Sequence, residues 1–293
     1  MANLKEVRIR IASVSSTQQI TKAMKLVSAT KLRRAQNGIV QMRPYAQKLN
    51  GILANLSESV DVDSVKLFFA ERQIKNVLMV VITSDRGLCG SFNANVIKLT
   101  NKTIKEKYFA QSENGNVSVL AIGKKGFEYF NKTTLPVISE FKDTFLNLNA
   151  DTGFEIGTKV LSDFRAGKFD AVEIIYNQFK NAATQILSAE QFLPINKASF
   201  SNTTAKNNDY IFEPSKEGIL EELIPRILKT QIYRSLLDSL ASEHGARMVA
   251  MDKATENAGD LLKGLKVEYN RARQAAITKE ISEIVGGAAA LSN

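Results

Sequence analysis

The chain has 293 residues, 44% of them hydrophobic, and carries a formal net charge of +9. A single cysteine, Cys89, and a single histidine, His244, exclude an internal disulfide framework and a histidine-rich metal site, and this composition fits a reducing compartment. No apolar stretch approaches the roughly 20 residues of a membrane-spanning helix, so we expect any membrane association to come through partners.

The first segment has the pattern of a long helix. From Val7 to Leu56 the candidate seam positions recur every three or four residues, which is the spacing of a coiled coil. The seam is polar between Gln18 and Ser28, and we expect the apolar stripe to rotate around the helix there. The neighbouring apolar positions are Ile20, Met24 and Val27. Pro44 is expected to kink the helix or to interrupt its hydrogen bonding.

The excess positive charge lies largely in the first fifty residues. Glu6 is the acidic residue of this segment, and the basic ones are Lys5, Arg8, Arg10, Lys22, Lys25, Lys31, Arg33, Arg34, Arg43 and Lys48. Such asymmetry predicts an acidic partner. Nucleic acid is one candidate, although no aromatic residue interleaves with the basic ones before Tyr45 and no zinc-finger or RNA-recognition sequence is present.

The periodicity changes to that of strands in the middle of the chain. Asn76–Thr83 and Val117–Ile122 are short apolar runs followed by glycine-containing turns and helical patterns, which is typical of buried parallel strands. Leu135–Ser139 is a weaker strand candidate, and Ala171–Phe179 with Thr184–Leu193 is predicted to form a hairpin. The pattern predicts a Rossmann-like central α/β domain with a mixed five-stranded sheet.

The last third repeats the long-helix pattern. Residues 198–212 are polar and predict a flexible loop, after which Glu213-Pro214-Ser215 offers a helix start. Apolar residues then keep helical spacing from Ile219 to Val285, with Pro225 expected to distort the first turns. Two such helices bury their stripes most economically in an antiparallel coiled coil. The predicted segments are 1–58 (N-terminal helix), 74–197 (α/β domain), 198–212 (loop) and 213–293 (C-terminal helix).

Candidate chemistry is weak. The glycine-containing turns at 83–93 and 123–126 follow strands, but neither has the spacing of a dinucleotide or triphosphate loop. Tight strand-to-helix turns explain them, and nucleotide binding stays an alternative. Cys89 at a helix start is better explained as a packed or surface thiol, and His244 as a helix-surface or interface residue, than as a catalytic pair. We therefore predict no catalytic, cofactor-binding or metal-binding residue.

Four segments together resemble one known family. They are RIASVSSTQQITKAMKLVSATKLRRAQ at 10–36, SDRGLCGSFN at 84–93, ASEHGARMVAMDKATENAGDLL at 241–262 and YNRARQAAITKEISEIVGGAAAL at 269–291. In their residues, order and spacing they resemble the gamma subunit of proton-translocating rotary (F-type) ATP synthases. The resemblance covers essentially the whole chain.

This resemblance implies a non-catalytic rotor. The paired terminal helices would rise into a ring of three alpha and three beta subunits, and the central domain would contact the epsilon subunit and the membrane ring of c subunits. Proton flow would turn the shaft, whose asymmetric surface favours a different conformation in each beta subunit in turn. The implied location is the cytoplasmic face of a bacterial inner membrane, reached through partners. The paired-cysteine insertion of chloroplast relatives is missing, which argues against thiol control.

The resemblance also implies contact positions on the two terminal helices. Met24 and Lys25 match the stretch that lies close to the moving lever of beta, and Lys25 differs in type from the acidic or neutral residue of many relatives. Arg273 and Gln274 match a pair that meets a catch loop of beta.

Further implied contacts lie on the C-terminal helix and in the central domain. Thr278 and Glu280 match positions that interact with the Met24 region across the coiled coil. Arg86 and Cys89 match the loop that faces the acidic lever of beta. The basic residues that suit such an acidic surface are Lys25, Arg33 and Arg34.

Two other classes of protein stay open at this point. One is a nucleotide-dependent α/β enzyme, which would turn over ATP without partners. The other is a basic coiled-coil scaffold, which would bind DNA tightly at physiological salt.

Overall fold

The structure, a computed structural model, describes residues 4–56, 67–69, 72–195 and 216–291. The chain divides into two compact units, one made of residues 1–28 and 248–293 and the other of residues 29–247. The loop predicted at 198–212 and the helix start predicted at 213–215 lie outside the described residues. The predicted division into four segments stays a prediction.

Two long helices lie at the two ends of the sequence. Helix α1 spans Leu4–Leu56 and the last helix, α6, spans Lys216–Leu291. Both continue through an internal proline, Pro44 in α1 and Pro225 in α6, so neither proline ends its helix. None of the helices in the described part of the chain is long and apolar enough to cross a membrane.

In the first unit the two helices pair side by side and antiparallel. Lys25 Nζ lies 2.6 Å from Asp252 Oδ1, and Arg8 Nη2 donates to Tyr269 Oη over 3.1 Å, so residue numbers fall along α6 as they rise along α1. The buried positions recur at heptad spacing, as a seam requires. They are Val7, Thr21 and Ser28 on α1 and Met251, Ala258 and Leu265 on α6. The predicted antiparallel coiled coil is confirmed.

The seam does not rotate at its polar centre. Thr21 and Ser28 are 8% and 3% exposed, whereas Ile20 and Val27 are 56% and 55% exposed. The hydroxyls of Thr21 and Thr255 lie 2.8 Å apart and share a hydrogen bond across the seam. Because a buried hydroxyl is tolerated once it is hydrogen-bonded, the heptad continues through polar residues, and the predicted rotation is wrong.

The far end of α6 departs from the prediction as well. Its apolar residues within 273–288 are exposed, because α1 begins at Leu4 and Arg8 already pairs with Tyr269. The exposed ones are Ile277, Ile281, Ile284 and Val285. The expectation that the whole stripe is buried against the partner helix is therefore wrong for this end.

A five-stranded mixed sheet lies in the second unit. Its strands are β1 (Val77–Ile82), β2 (Val117–Ile122), β3 (Val137–Ile138), β4 (Ala171–Phe179) and β5 (Gln185–Leu193). They are ordered β3-β2-β1-β4-β5, with the first four parallel and β5 antiparallel to β4. The predicted sheet, its weak third strand and its final hairpin are confirmed, with β5 beginning one residue later than expected.

Helices cover both faces of this sheet. They are α2 (Phe92–Lys107), α3 (Phe109–Glu113), α4 (Lys124–Phe130) and α5 (Ala150–Arg165). Helix α5 and the start of α6 pack on one face, and α2 with α4 packs on the other.

Strand β1 shows how the sequence fits this layering. Leu78, Val80 and Ile82 enter the core under α5 and α6, while the residues that alternate with them enter the core under α2 and α4. Because successive side chains of a strand point to opposite faces, a strand covered on both faces must be apolar throughout. All six residues of β1 are buried.

Candidate partner-binding surfaces

The glycine turn after β2 is filled by the protein itself. A side chain at Gly123 would collide with the carbonyl group of Thr83, and Gly126 N–H donates to Thr83 Oγ1 over 2.8 Å. Lys125 N–H donates to Ser84 O over 3.0 Å. A phosphate would need these N–H groups, and they already donate to Thr83 and Ser84. The turn therefore has the features of close packing between a strand and the helix that follows it.

The turn after β1, residues Ser84–Gly90, is held from the side of α6. We call it the 84–90 loop. Arg247 Nη2 donates to the carbonyl oxygens of Arg86 and Gly87 over 2.9 and 3.2 Å. Arg247 Nη1 donates to Glu243 Oε1 over 2.6 Å, and both of these α6 side chains are buried. The planar guanidinium therefore ties the loop backbone to the helix.

A second set of contacts supports the same loop from beneath. Ser84 Oγ donates to Arg86 O over 2.7 Å, and Asn93 Oδ1 accepts from Ser84 N–H over 2.9 Å. Asn93 Nδ2 lies 3.4 Å from Cys89 Sγ. Burial raises the pKa of the Cys89 thiol, which is 2% exposed. Cys89 therefore supports the loop and does not present its thiol to a partner, while the Arg86 side chain is exposed.

His244 lies next to this network and stays neutral. Burial, with Arg247 and Lys31 nearby, lowers the pKa of its imidazole to about 4. Its Nδ1 atom is 3.3 Å from Arg247 Nη1. The geometry gives His244 a structural role, and its burial shows that the expected position on a helix surface is wrong.

In the first unit, Met24 and Lys25 lie at the polar part of the seam. Met24 is half-buried, and the Lys25 ammonium is held by Asp252. A shallow groove of about 380 Å³ lies beside this ion pair. It is lined by Gln18, Gln19, Lys22, Lys25, Asp252 and Thr255.

The other predicted positions of this unit lie far along α6. Arg273, Gln274, Thr278 and Glu280 are all exposed, and Thr278 Oγ1 donates to Gln274 O over 2.9 Å. The Met24 region faces Asp252, and Thr278 lies 26 residues beyond it, roughly 39 Å along the helix at about 1.5 Å per residue. The implied contact of Thr278 and Glu280 with the Met24 region is therefore wrong, because the structure separates these residues along α6.

Arg33 and Arg34 complete the predicted set. Both are exposed on α1 within the second unit, the unit that also contains the 84–90 loop. Their side chains are thus available to an acidic surface.

Sequence reasoning missed Arg247, which organises the 84–90 loop, and Asp252, which holds Lys25. One signal was available for Arg247: it follows Glu243 by four residues in a stretch of small and apolar residues. Such a pair on a buried helix face predicts an internal ion pair. Within the described residues, no group of three or more histidine, cysteine, aspartate or glutamate side chains could hold a metal ion.

The fold and these surfaces define a class of protein. In this class the two ends of the chain pair as antiparallel helices, an α/β domain lies between them in the sequence, and the candidate functional residues lie on helices and on one loop. A family model described as ATP synthase matches residues 3–291.

Full-length relatives specify the family. The chain is 56% identical to the ATP synthase gamma chain of Cytophaga hutchinsonii, with 100% of both chains covered. It is 55% identical to the ATP synthase gamma chain of Flavobacterium psychrophilum, with 99% of each covered. The chain therefore belongs to the ATP synthase gamma chain family, whose members are non-catalytic subunits.

Solved structures agree with the fold. A chain of the Tetrahymena thermophila mitochondrial ATP synthase central stalk and c ring is 26% identical, with a TM-score of 0.56 and coverage of 80% of this chain and 99% of that one. A chain of the Euglena gracilis mitochondrial ATP synthase is 21% identical, with a TM-score of 0.68 and coverage of 98% and 94%. The second likeness supports the fold alone.

Proposed function

We propose that the chain is the central-stalk rotor subunit that couples proton flow through a membrane c ring to ATP synthesis or hydrolysis at the beta subunits of a catalytic head. The observation that carries this proposal is the family match over residues 3–291, with 56% identity along the full length of a gamma chain. The partners are the alpha and beta subunits, the epsilon subunit and the c ring. The chain is peripheral, at the cytoplasmic face of a bacterial inner membrane, and its partners hold it there.

The proposed action is that of a ligand with unequal affinity for the conformations of its neighbours. Such a ligand shifts an equilibrium only by the difference between its two affinities. Moving a neighbour from 1:99 to 99:1 takes about 5.5 kcal/mol, more than one exposed contact supplies. Coupling therefore needs several separated contacts. The proposed contact residues are Met24, Lys25, Arg33, Arg34, Arg86, Arg273 and Gln274, with Cys89 supporting its loop from the inside.

The first experiment is co-purification of the full chain with alpha and beta subunits. The proposal requires a stable complex that contains all three, and no ATP turnover by the chain without partners. Saturable hydrolysis by the chain alone, lost on changing Gly87 or Gly123, would support the enzyme alternative.

A second experiment tests the far end of α6. Replacing Arg273 and Gln274 together by alanine should weaken assembly or torque, while the thermal unfolding of the chain stays unchanged because both residues are exposed. The matched control is alanine at Lys266 and Asn270, two exposed positions on the same helix. Unaltered ATP synthesis in membranes carrying the Arg273 and Gln274 variant would contradict the assignment.

A further inference from the structure

In the described part of the sheet, one edge is a long strand with no neighbour on its outer side. Strand β5 pairs with β4 along its inner side, and the register is unbroken from Gln185 to Gln191. Among the described residues, no hydrogen bond outside this ladder reaches the backbone of residues 186–191. Because alternate residues of an edge strand direct both the N–H and the C=O group outward, β5 presents a row of backbone donors and acceptors to another strand.

The two edges of the sheet differ in their protection. At the opposite edge, β3 consists of two residues, Val137 and Ile138, and Pro136 precedes it. Short edge strands, prolines and charged side chains are common means by which proteins keep an edge from pairing with another chain. Strand β5 has nine residues and contains neither proline nor lysine. The edge formed by β5 therefore lacks the protection that the other edge has.

The side chains of β5 are compatible with a second strand of the same sequence. Glu190 is the charged residue of the strand, and its carboxylate already accepts a hydrogen bond from the Tyr176 hydroxyl over 2.9 Å. The side chains of Ile186, Leu187 and Ala189 are exposed. If two copies of β5 pair antiparallel about a twofold axis at the middle of the strand, Glu190 lies opposite an uncharged residue, so no like charges oppose the pairing directly.

We propose that free copies of this chain pair through β5, which joins two five-stranded sheets into one continuous sheet across a twofold axis. The other edge of the sheet is too short to extend the array, so the association ends at two copies. This pairing belongs to the chain before it meets other proteins and does not depend on the proposed function.

The test measures the mass of the free full-length chain as its concentration rises. Sedimentation equilibrium from about 1 to 200 μM should show a shift from 32.3 kDa towards twice that mass. Because each copy carries a charge of +9, added salt should strengthen the pair by screening the repulsion between copies.

Two substitutions at Ala189 separate pairing through β5 from nonspecific association. Ala189→Lys adds a charge to each copy near the twofold axis, and the dissociation constant of the pair should rise about tenfold or more. Ala189→Val keeps the position apolar and suits a strand, so it should pair at least as tightly as wild type. Leu146→Lys adds the same charge at another exposed position of the second unit and should pair as wild type does.

Amide hydrogen exchange reports the backbone contact itself. In concentrated wild type, exchange should slow at every second amide between residues 186 and 191 relative to a dilute sample, whereas concentrated Ala189→Lys should show no such change. The melting temperature of dilute Ala189→Lys should equal that of dilute wild type, because the substituted side chain is exposed.

Several results would overturn the proposal. They are a mass of 32.3 kDa at every concentration, growth beyond two copies, equal pairing of wild type and Ala189→Lys, and a pair whose β5 amides exchange as fast as those of the single chain. A pair that separates when salt is added would indicate attraction between charges instead. Protection of the β5 amides only after alpha and beta subunits are added would assign this edge to a strand of another protein.

Discussion

At the scale of single residues, the least obvious placement is that of His244. It is buried beside Glu243 and Arg247, and its pKa is lowered to about 4, against an ordinary value of about 6.5. Between these two values the unfolded chain binds a proton that the folded chain does not. Stability is therefore lost as pH falls through this window.

We predict that His244→Gln removes part of the acid sensitivity of the fold. The free energy of unfolding of wild type should fall by up to about 3 kcal/mol more than that of the variant between pH 7 and pH 4. Urea unfolding at pH 7, 5.5 and 4 measures both. Burial raises the pKa of Glu243, which works in the opposite direction but is common to both proteins. Parallel curves for the two would show that His244 is not the group that titrates.

A second prediction at this scale concerns Cys89. Its buried thiol has a raised pKa, so the thiolate that reacts with alkylating agents is scarce at neutral pH. Iodoacetamide should modify the native chain at least about tenfold more slowly than it modifies glutathione, and at a similar rate in urea. A native rate equal to that of glutathione would show that the 84–90 loop opens readily.

At the scale of elements, the sequence predicted what depends on local spacing. The heptad of α1 and the apolar runs of β1 and β2 each lie within one segment, and their period alone identifies the element. The polar centre of the seam was misjudged, because the hydroxyl that satisfies Thr21 belongs to Thr255, 234 residues away. The support of the 84–90 loop was missed for the same reason, since Arg247 lies 161 residues from Arg86.

Helix α5 contacts α6 through glycine, which yields a matched pair of substitutions. A Cβ at Gly157 of α5 would lie 2.9 Å from Lys229 Cγ and 3.0 Å from its Cα, whereas one at Gly264 of α6 would meet nothing within 4 Å. Gly157→Ala should therefore destabilise the protein by about 1–3 kcal/mol. Gly264→Ala should stabilise it by up to about 1 kcal/mol, because alanine is the better helix former. Urea unfolding measures both, and equal effects would show that helix propensity outweighs the contact.

The heptad register of the coiled coil can be tested by an insertion. Insertion of one alanine after Met24 rotates every later residue of α1 by about 100° relative to Thr21 and the residues before it, so the two stretches can no longer face α6 together. The melting temperature should fall clearly. Deletion of residues 284–293 should matter less, because the side chains described there, 284–288, are exposed. Equal tolerance of the two changes would remove the evidence for a fixed seam.

At the scale of the whole molecule, net charge bears on assembly. A chain with a charge of +9 should meet an acidic partner faster at low ionic strength. Raising salt from 50 to 200 mM should slow assembly with alpha and beta by about threefold or more. Arg33→Gln with Arg34→Gln should flatten this dependence, as stopped-flow mixing would show.

The control for that experiment changes the same total charge elsewhere. Lys98→Gln with Lys105→Gln alters two exposed lysines of α2. If both double variants flatten the salt dependence equally, net charge alone acts, and the basic segment of α1 has no special position.

The exposed end of α6 should differ from the rest of the helix in the rate at which its amide hydrogens exchange. Past Ala272 the described residues of this helix pack against no other helix, and a helix without a packed face lacks the tertiary contacts that supply most helical stability in water. Amide hydrogens there should exchange with deuterium quickly, and exchange should slow progressively towards Leu265 and Met251. Whatever encloses this end would raise its protection, so isotope uptake along α6 would map how deeply the terminus is enclosed.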